Sequence, residues 1–381
     1  MRILLLLAAS LADFGLFAQP FAIGNRSITF YDAFRDRSVA TNLYYPAATS
    51  GADVPVADGL FPVLVFGHGF VMTPNAYGNI WQHFVPKGYI VALPTTEGGF
   101  APNHANFGAD LAFLATALQN ANTETGSPFE GRVAPATALM GHSMGGGASF
   151  LGAGGNENIQ ALVNLAPAET NPSSTAAAGS VTVPTLVFAA SEDCVTPIPD
   201  HQGPMYAATA SNCKAFVNIL GGGHCYFAND NFNCSFGELT CGPDLTISRT
   251  DQHDVVNDFA GLWLDHHLKG VPGAFDAFRD SAAVSTRVEA QVDCISTQVT
   301  AHTDAGYALF PVPVDQRLHI SVTEVVVGGR LLDVDGREVR ALGTWTGTLA
   351  VDVSAFSVGT YVVELTHRDG TRTTDRVVVA R

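Results

Sequence analysis

The sequence predicts an α/β fold with a doubly wound, mostly parallel sheet, followed by a small all-β sandwich domain. Up to residue 294, short apolar runs alternate with segments of helical periodicity, which is typical of parallel strands joined by helices. From about Gly306 onward, stretches of alternating polarity follow one another without a helical pattern. We therefore expect a first domain over residues 19–294, a linker over 295–305 and a second domain over 306–381.

The strands of the first domain are predicted from apolar runs that are rich in β-branched residues. Residues 62–66 and 89–94 are continuous runs of this kind, as strands buried on both faces should be. Helices are predicted where apolar residues recur with a helical period, and Gly88 marks the end of one of them. The predicted strands are 26–31, 38–45, 62–66, 89–94, 136–141, 161–165, 185–189 and 215–220, and the predicted helices are 75–87, 105–120, 251–268 and one beginning after residue 143.

In the second domain, Asp-Gly pairs at 335–336 and 369–370 separate strands, and such pairs are typical of hairpin turns. The predicted strands are 318–322, 329–333, 349–353, 361–366 and 376–379. These strands predict a small all-β module.

Length and charge narrow the possible functions. A chain of 381 residues favours two domains, and a hydrophobic content of 47% is ample for a core. The formal net charge of −16, without a basic stripe, argues against nucleic acid as a partner. We expect a monomer with an acidic exterior.

The first 18 residues are predicted to be a secretory signal peptide. A short basic start is followed by the apolar run of residues 3–9, and the expected cleavage site follows Ala18. A buried N-terminal helix is the alternative. A signal peptide implies export into an oxidising compartment, and a secreted, extracellular protein.

The cysteines of such a protein are expected to form disulfides, and this chain has six of them. No C-x-x-C motif is present, so a zinc site is disfavoured. The preferred pairings from sequence are Cys194–Cys213, Cys234–Cys241 and Cys225–Cys294.

The organising motif of the first domain is Gly-His-Ser-Met-Gly at residues 141–145, at the end of a predicted strand. The pattern G-x-S-x-G forms a sharp strand-to-helix turn from which the serine hydroxyl projects. A side chain at 141 or 145 would clash with the crossing backbone, so both positions require glycine. A plain glycine-rich connection is the alternative, and the rest of the chain decides between them. Ser143 is thus a candidate nucleophile.

Candidates for an acid and a base follow two later strands. Asp193 follows the strand 185–189, and His224 follows the strand 215–220. Ligands of open α/β sheets bind at the carboxyl ends of the strands, so both residues should lie near Ser143. His224 would accept the serine proton, and Asp193 would orient the imidazole. Glu169, after the strand 161–165, is a second candidate acid that we rank behind Asp193.

Two backbone N–H groups are candidates for an oxyanion hole. Met144 follows the nucleophile, and Phe70 lies in the Gly-His-Gly-Phe segment after the strand 62–66, where we expect His68 to brace the loop. Tyr226 and Phe227 follow the predicted base and are candidate substrate contacts. A disulfide-pinned surface loop with its own small cluster is an equal alternative for that segment. The proposed chemistry requires neither a cofactor nor a metal.

These motifs resemble those of lidless bacterial cutinases and polyester hydrolases, and of esterases similar to platelet-activating-factor acetylhydrolase and chlorophyllase. The resemblance covers about residues 25–294 and rests on Leu-Tyr-Tyr-Pro at 43–46, Gly-His-Gly-Phe at 67–70, the 141–147 motif, the Asp193 segment and Gly223-His224. It implies an α/β-hydrolase fold and hydrolysis of carboxylic esters without a cofactor. Polyester hydrolases carry a tryptophan after the strand that follows the elbow, whereas this chain has Leu-Ala-Pro-Ala-Glu at 165–169, which argues against cleavage of aromatic polyesters.

The C-terminal region has a resemblance of its own. Leu-Phe-Pro-Val-Pro-Val at 309–314, Asp-Val-Asp-Gly at 333–336 and Gly-Thr-Tyr-Val at 359–362 resemble the C-terminal sorting domain of the type IX secretion system. The resemblance implies contact with the secretion machinery, passage across the outer membrane and removal of the domain. A carbohydrate-binding or immunoglobulin-like module is the alternative.

The sequence therefore predicts a secreted serine hydrolase that cleaves carboxylic esters through an acyl-enzyme on Ser143. About 19 residues, 166–184, separate two of the strands, which is too few for a cap domain, so we expect an open site for polymeric or lipid esters. The alternatives are an α/β-hydrolase-fold peptidase, and a binding or adhesion module with a vestigial site.

Overall fold

The computed structural model describes residues 20–294, 306–310, 314–334 and 336–379. The chain divides into two compact units, Met1–Cys294 and Ile295–Arg381. The predicted signal peptide and the predicted linker lie outside the described residues, as does Asp335 of one predicted turn.

A single large sheet forms the centre of the first unit. Its strands are β1 (Ala22–Asp32), β2 (Arg37–Ala47), β3 (Gly51–Ala52), β4 (Phe61–Gly67), β5 (Ile90–Pro94), β6 (Val133–His142), β7 (Ala161–Leu165), β8 (Thr185–Ala190), β9 (Cys213–Ile219) and β10 (Val288–Cys294). The strand order is β10-β9-β8-β7-β6-β4-β5-β2-β1-β3. The consecutive pairings from β5 through β4, β6, β7 and β8 to β9 are parallel, and antiparallel strands flank them. The mostly parallel sheet predicted from the sequence is confirmed.

Helices cover both faces of this sheet. They are α1 (Gly78–Phe84), α2 (His104–Ala121), α3 (Met144–Ala153), α4 (Ser174–Ala178), α5 (Gln202–Ala208), α6 (Phe232–Glu238), α7 (Arg249–Lys269) and α8 (Ala274–Val284), with 3-10 turns at Pro74–Tyr77, Val85–Lys87 and His224–Phe227. The core on one face includes residues of α1, α7 and α8, and the core on the other includes residues of α2, α3, α4 and α5. Since both faces are buried, the central strands are continuous apolar runs, and the carboxyl ends of the strands are left free for a site.

The second unit is built from β-strands. They are β11 (Tyr307–Phe310), β12 (Arg317–Leu332), β13 (Glu338–Ala341), β14 (Trp345–Asp352), β15 (Gly359–His367) and β16 (Arg372–Val379). β15 and β16 pair antiparallel across the Asp369-Gly370 turn, where Gly370 has a φ of 84°. The predicted all-β class of this region is confirmed.

One predicted helix and two predicted strands differ in the structure, for local reasons. The predicted helix 75–87 is a short α-helix flanked by 3-10 turns, because Pro86 has no N–H to continue the helical bonding. The predicted strands 318–322 and 329–333 belong largely to one strand, β12, which pairs with β14 in its first part and with β15 in its second. Register shifts after Val322 and Val326 let the strand change partners without ending.

Candidate active site

The Gly-His-Ser-Met-Gly motif forms a strained turn between β6 and α3. Ser143 has φ 55° and ψ −122°, a conformation that a non-glycine residue adopts only where its surroundings impose it. Its N–H donates to the Leu165 carbonyl at 3.0 Å, and its carbonyl accepts from the Ala168 N–H at 2.9 Å. A Cβ at Gly145 would overlap the Gly67 carbonyl, so the turn is possible only with glycine there.

Asp193 and His224 form a buried hydrogen-bonded pair. His224 Nδ1 lies 2.8 Å from Asp193 Oδ2, and the two side chains are 3% and 1% exposed. The carboxylate accepts on its other oxygen from the N–H groups of Val195 at 2.9 Å and Thr196 at 2.8 Å. With Nδ1 directed at Asp193, the imidazole has its Nε2 available for proton transfer.

Thr196 and Gln202 support this pair and were not singled out from the sequence. The Thr196 hydroxyl donates to Asp193 Oδ2 at 2.8 Å and lies 3.0 Å from His224 Nδ1. Gln202 Nε2 donates to the Thr196 hydroxyl at 3.0 Å. The spacing Asp-x-x-Thr, typical of a side-chain-capped turn, could have indicated Thr196, whereas Gln202 is brought in by tertiary folding.

His224, the candidate base, lies beside the elbow, where it contacts His142. The rings of His142 and His224 have centroids 4.7 Å apart, and His142 Nε2 lies 3.1 Å from the His224 carbonyl oxygen. His142 directly precedes Ser143, which is partly exposed. Within the described residues, the Ser143 hydroxyl has no hydrogen-bond partner, so it is available to a substrate or to the base.

Glu169, the second candidate acid, has other partners. Its Oε2 accepts from the Thr175 N–H at 3.1 Å and from the Thr175 hydroxyl at 2.6 Å, at the start of α4. Its N–H donates to His201 Nδ1 at 2.9 Å. The carboxyl group therefore stabilises a short helix, and it makes no bond to His224 among the described contacts.

The two candidate oxyanion donors belong to different segments, since Phe70 follows β4 and Met144 begins α3. We call residues 67–72, which follow β4, the oxyanion loop. Phe70 is half exposed, and within the described part of the chain neither its N–H nor that of Met144 has a protein acceptor. His68 is buried and contacts two carbonyls, Nδ1 to Gly69 and Nε2 to Thr96, each at 2.9 Å.

Of the two candidate substrate contacts, the structure excludes one. Phe227 is 0% exposed and belongs to the core on the α7 side, so its predicted contact with substrate is wrong. The ring is at the end of the 3-10 turn His224–Phe227 and lies in the core that also contains residues of α7. Tyr226 is partly exposed, and Arg249 lies over its ring at 4.5 Å.

All six cysteines form disulfides, but none of the three preferred pairings is correct. The bonds are Cys194–Cys241, Cys213–Cys294 and Cys225–Cys234. Cys213 begins β9 and Cys294 ends β10, and their antiparallel register sets them opposite each other. α6 then folds back over the base segment and brings the remaining cysteines together. Because β10 was not predicted, this arrangement was not accessible from the sequence.

The described residues contain no cluster of three or more ligating side chains that could hold a metal ion. In the same part of the chain, no helix combines the length and apolarity needed to cross a bilayer.

Fold and site together define the class. A parallel sheet that carries a strained serine turn after one strand, an aspartate after a later one and a histidine after the next is the arrangement of an α/β-hydrolase. Residues 18–240 match the family model described as PET hydrolase-like, and the chain belongs to that family. Residues 308–380 match the secretion system C-terminal sorting domain. Both resemblances seen in the sequence are thereby confirmed.

Curated relatives agree with this family. The chain is similar to a bis(hydroxyethyl) terephthalate hydrolase of Streptomyces coelicolor, with 26% identity over 48% of this chain and 54% of the relative. It is also similar to cutinase est1 of Thermobifida alba, with 32% identity over 48% of this chain and 59% of the relative. The chain thus spans between half and three fifths of the length of these two relatives.

Proposed function

We propose that this protein is a secreted carboxylic ester hydrolase that acts through an acyl-enzyme on Ser143. The observation that carries the proposal is the buried Asp193–His224 pair, 2.8 Å apart, beside the strained Ser143 turn. Relatives named cutinase and bis(hydroxyethyl) terephthalate hydrolase support esters as the substrate class.

The mechanism follows from these groups. His224 Nε2 takes the proton of the Ser143 hydroxyl as its oxygen attacks the ester carbonyl, and Asp193 stabilises the imidazolium that forms. The developing oxyanion accepts from the Phe70 and Met144 N–H groups, and each such donor contributes about 10²–10³-fold to turnover. His224 then protonates the departing alcohol. A water molecule, deprotonated by the same imidazole, hydrolyses the acyl-enzyme and regenerates Ser143.

The surroundings of the site favour large or aggregated apolar esters. The segment between β7 and β8 contains only the five-residue helix α4, which supports an open site without a cap. α6 exposes Phe232 (80%) and Phe236 (61%), and Asn233 on the same helix bonds the Val71 carbonyl of the oxyanion loop at 2.7 Å. The segment after β7 offers no aromatic residue at 165–169, so aliphatic esters should be preferred over aromatic polyesters.

The test is hydrolysis of p-nitrophenyl esters together with labelling by a fluorophosphonate. Wild-type protein should be labelled once, at Ser143, and should hydrolyse acetate and longer acyl esters, whereas Ser143→Ala should lose both properties. Hydrolysis that persists in Ser143→Ala would contradict the mechanism. A panel that adds aliphatic and aromatic polyester films and peptide amides tests substrate class, and a preference for amides would favour a peptidase.

We also propose that residues 306–381 direct export, on the basis of the sorting-domain match and the predicted signal peptide at residues 1–18. Cell fractionation of a host with the matching secretion system tests this role. The full chain should reach the medium, and a chain lacking 306–381 should stay behind the outer membrane. Equal export of both chains would contradict it.

A further inference from the structure

A buried chain of hydrogen bonds runs behind the catalytic groups and takes no part in the mechanism described above. Tyr77 and His142 are both 0% exposed, and the Tyr77 hydroxyl lies 2.9 Å from His142 Nδ1. The same hydroxyl accepts from the Gly69 N–H at 2.7 Å. At the other end, His142 Nε2 lies 3.1 Å from the His224 carbonyl oxygen. This series of hydrogen bonds therefore joins the oxyanion loop, the elbow and the segment that contains His224.

The direction of each proton in this chain follows from the chemistry of its ends. A carbonyl oxygen can only accept, so His142 Nε2 carries the proton that faces His224. Burial, reinforced by the nearby His224, lowers the pKa of His142 well below its ordinary value, which leaves the ring neutral and Nδ1 a bare acceptor. Burial also raises the pKa of Tyr77, so its hydroxyl keeps its one proton. That hydroxyl faces two acceptors, His142 Nδ1 at 2.9 Å and Met72 Sδ at 3.1 Å. The imidazole nitrogen is the stronger acceptor, because a thioether sulfur accepts only weakly.

The oxyanion loop can approach this chain because Gly69 has no side chain. A Cβ there would lie 2.7 Å from Met72 Sδ, 3.1 Å from the Tyr77 hydroxyl and 3.3 Å from His142 Nδ1. The first of these distances is shorter than a normal van der Waals contact, so the Met72 side chain would have to shift. The other two are tight contacts with fully buried side chains, so a larger residue at position 69 would crowd the bond between the Gly69 N–H and the Tyr77 hydroxyl.

We propose that Tyr77 and His142 are positioning residues that fix the oxyanion loop and the catalytic base relative to the Ser143 elbow. The inference rests on the proposed ester hydrolysis, since it assigns these residues to the donor and the base of that reaction. Gly69 precedes Phe70, so its bond to Tyr77 fixes the peptide next to the proposed donor.

His142 acts at the other end of the chain. It precedes Ser143 along the sequence, and its bond to the His224 carbonyl fixes the main chain of the base. Among the described contacts, neither Tyr77 nor His142 forms a hydrogen bond with the Ser143 hydroxyl or with His224 Nε2, although the His142 ring packs against that of His224, with centroids 4.7 Å apart. Both residues therefore act through Phe70 and His224.

Removal of the Tyr77 hydroxyl tests the inference directly. Tyr77→Phe keeps the ring in the core, and kcat for p-nitrophenyl acetate should fall about tenfold or more, since small displacements of catalytic groups cost the transition state heavily. KM should change by less than about twofold, because ground-state binding does not depend on these bonds. The matched control is Tyr89→Phe. Tyr89 is also 0% exposed and donates to Asp265 at 2.7 Å, but it precedes β5, at the strand end opposite the site.

A second pair of variants separates positioning from packing. In His142→Gln the side-chain amide can still donate to the His224 carbonyl and accept from Tyr77, whereas His142→Leu fills the space without either bond. We expect the Gln variant to keep a several-fold higher kcat than the Leu variant, with both assayed well below their melting temperatures.

The outcomes distinguish this inference from the proposed function. If hydrolysis by the wild-type protein does not depend on Ser143, the proposed function fails and the inference fails with it. If hydrolysis depends on Ser143, two results would overturn the inference alone: a kcat for Tyr77→Phe that matches Tyr89→Phe, or equal activity of His142→Gln and His142→Leu.

Discussion

The nucleophile and the acid–base pair of the candidate site are held by different means. Ser143 sits in a turn whose shape is imposed by close contact between backbones, since Gly145 packs against the Gly67 carbonyl. Asp193 and His224 lie on loops after β8 and β9. Such a turn is rigid because close-packed neighbouring atoms prevent its displacement.

The loops that carry the acid and the base are restrained by covalent and polar ties. The residue after Asp193 and the residue after His224 are both disulfide-bonded, and both partners lie in the segment 234–241, through Cys194–Cys241 and Cys225–Cys234. Glu238 in that segment also accepts from the Cys225 N–H at 2.8 Å. We infer that the elbow tolerates no added atom, whereas the positions of the two loops depend on their cross-links.

The largest effect should come from an added methyl group in the elbow. Gly145→Ala would place a carbon 2.6 Å from the His68 carbonyl oxygen and closer still to Gly67. We expect no measurable esterase activity and a loss of about 3 kcal/mol or more in the free energy of unfolding, as overpacking of a rigid site costs. Denaturant unfolding measures the free energy of unfolding, and hydrolysis of p-nitrophenyl acetate measures the activity.

Gly237→Ala is the matched control, since Gly237 also lies in a helix and a methyl group there would meet no atom of the described residues within 4 Å. Its activity should stay at the wild-type level. A Gly145→Ala protein with unchanged stability would show that the elbow is not held by backbone contact.

A smaller but still large effect should follow from loss of the acid. Asp193→Asn keeps the shape of the side chain but removes the charge that stabilises the imidazolium, so kcat should fall about 10³–10⁴-fold. Glu169→Gln is the comparison, since its partners lie at the start of α4, and kcat should remain close to that of the wild type. If Glu169→Gln were the damaging change, the assignment of Asp193 as the acid would be wrong.

The smallest effect should come from the cross-links. Double replacement of Cys194 and Cys241 by serine should lower the free energy of unfolding by about 2–5 kcal/mol. It should also lower kcat about tenfold, because the loop of the acid loses its restraint.

Serine at Cys213 and Cys294 provides the control. These residues join β9 and β10 at the edge of the sheet, away from the strand ends that carry the acid and the base. The free energy of unfolding should fall by about as much as in the Cys194 and Cys241 double variant, whereas kcat should stay within about twofold of the wild type. Equal losses of kcat in both double variants would mean that the disulfides stabilise the fold without positioning the loops.

Much of the sheet could be predicted because its central strands are buried on both faces. β7 (Ala161–Leu165) coincides with its prediction, since all of its residues are buried and form one apolar run. β10 (Val288–Cys294) was missed because it is an edge strand in which only Val288 is buried. Its residues Glu289, Gln291 and Asp293 exclude a continuous apolar run, but they alternate with Val288, Ala290 and Val292, a pattern from which this strand could have been predicted.

The candidate site, like the sheet, could be predicted only in part. The triad candidates could be proposed from chain order, because each follows a strand and strand ends of a parallel sheet meet at one edge. Thr196 and Gln202, which support the acid, were not predicted, and Phe227 was assigned to the substrate although it lies in the core. Local sequence carries no signal for the direction of a side chain in an irregular segment.

The sequence by itself determined the central parallel strands, the all-β class of the second unit and the G-x-S-x-G turn, because apolar periodicity and glycine spacing act over a few residues. The family followed from the resemblance of several motifs to known hydrolases. Only the tertiary structure decided the disulfide pairings and the contacts that link Tyr77, His142 and His224. Those contacts join residues up to 82 positions apart, and which side chains meet at such distances depends on strand register and loop packing.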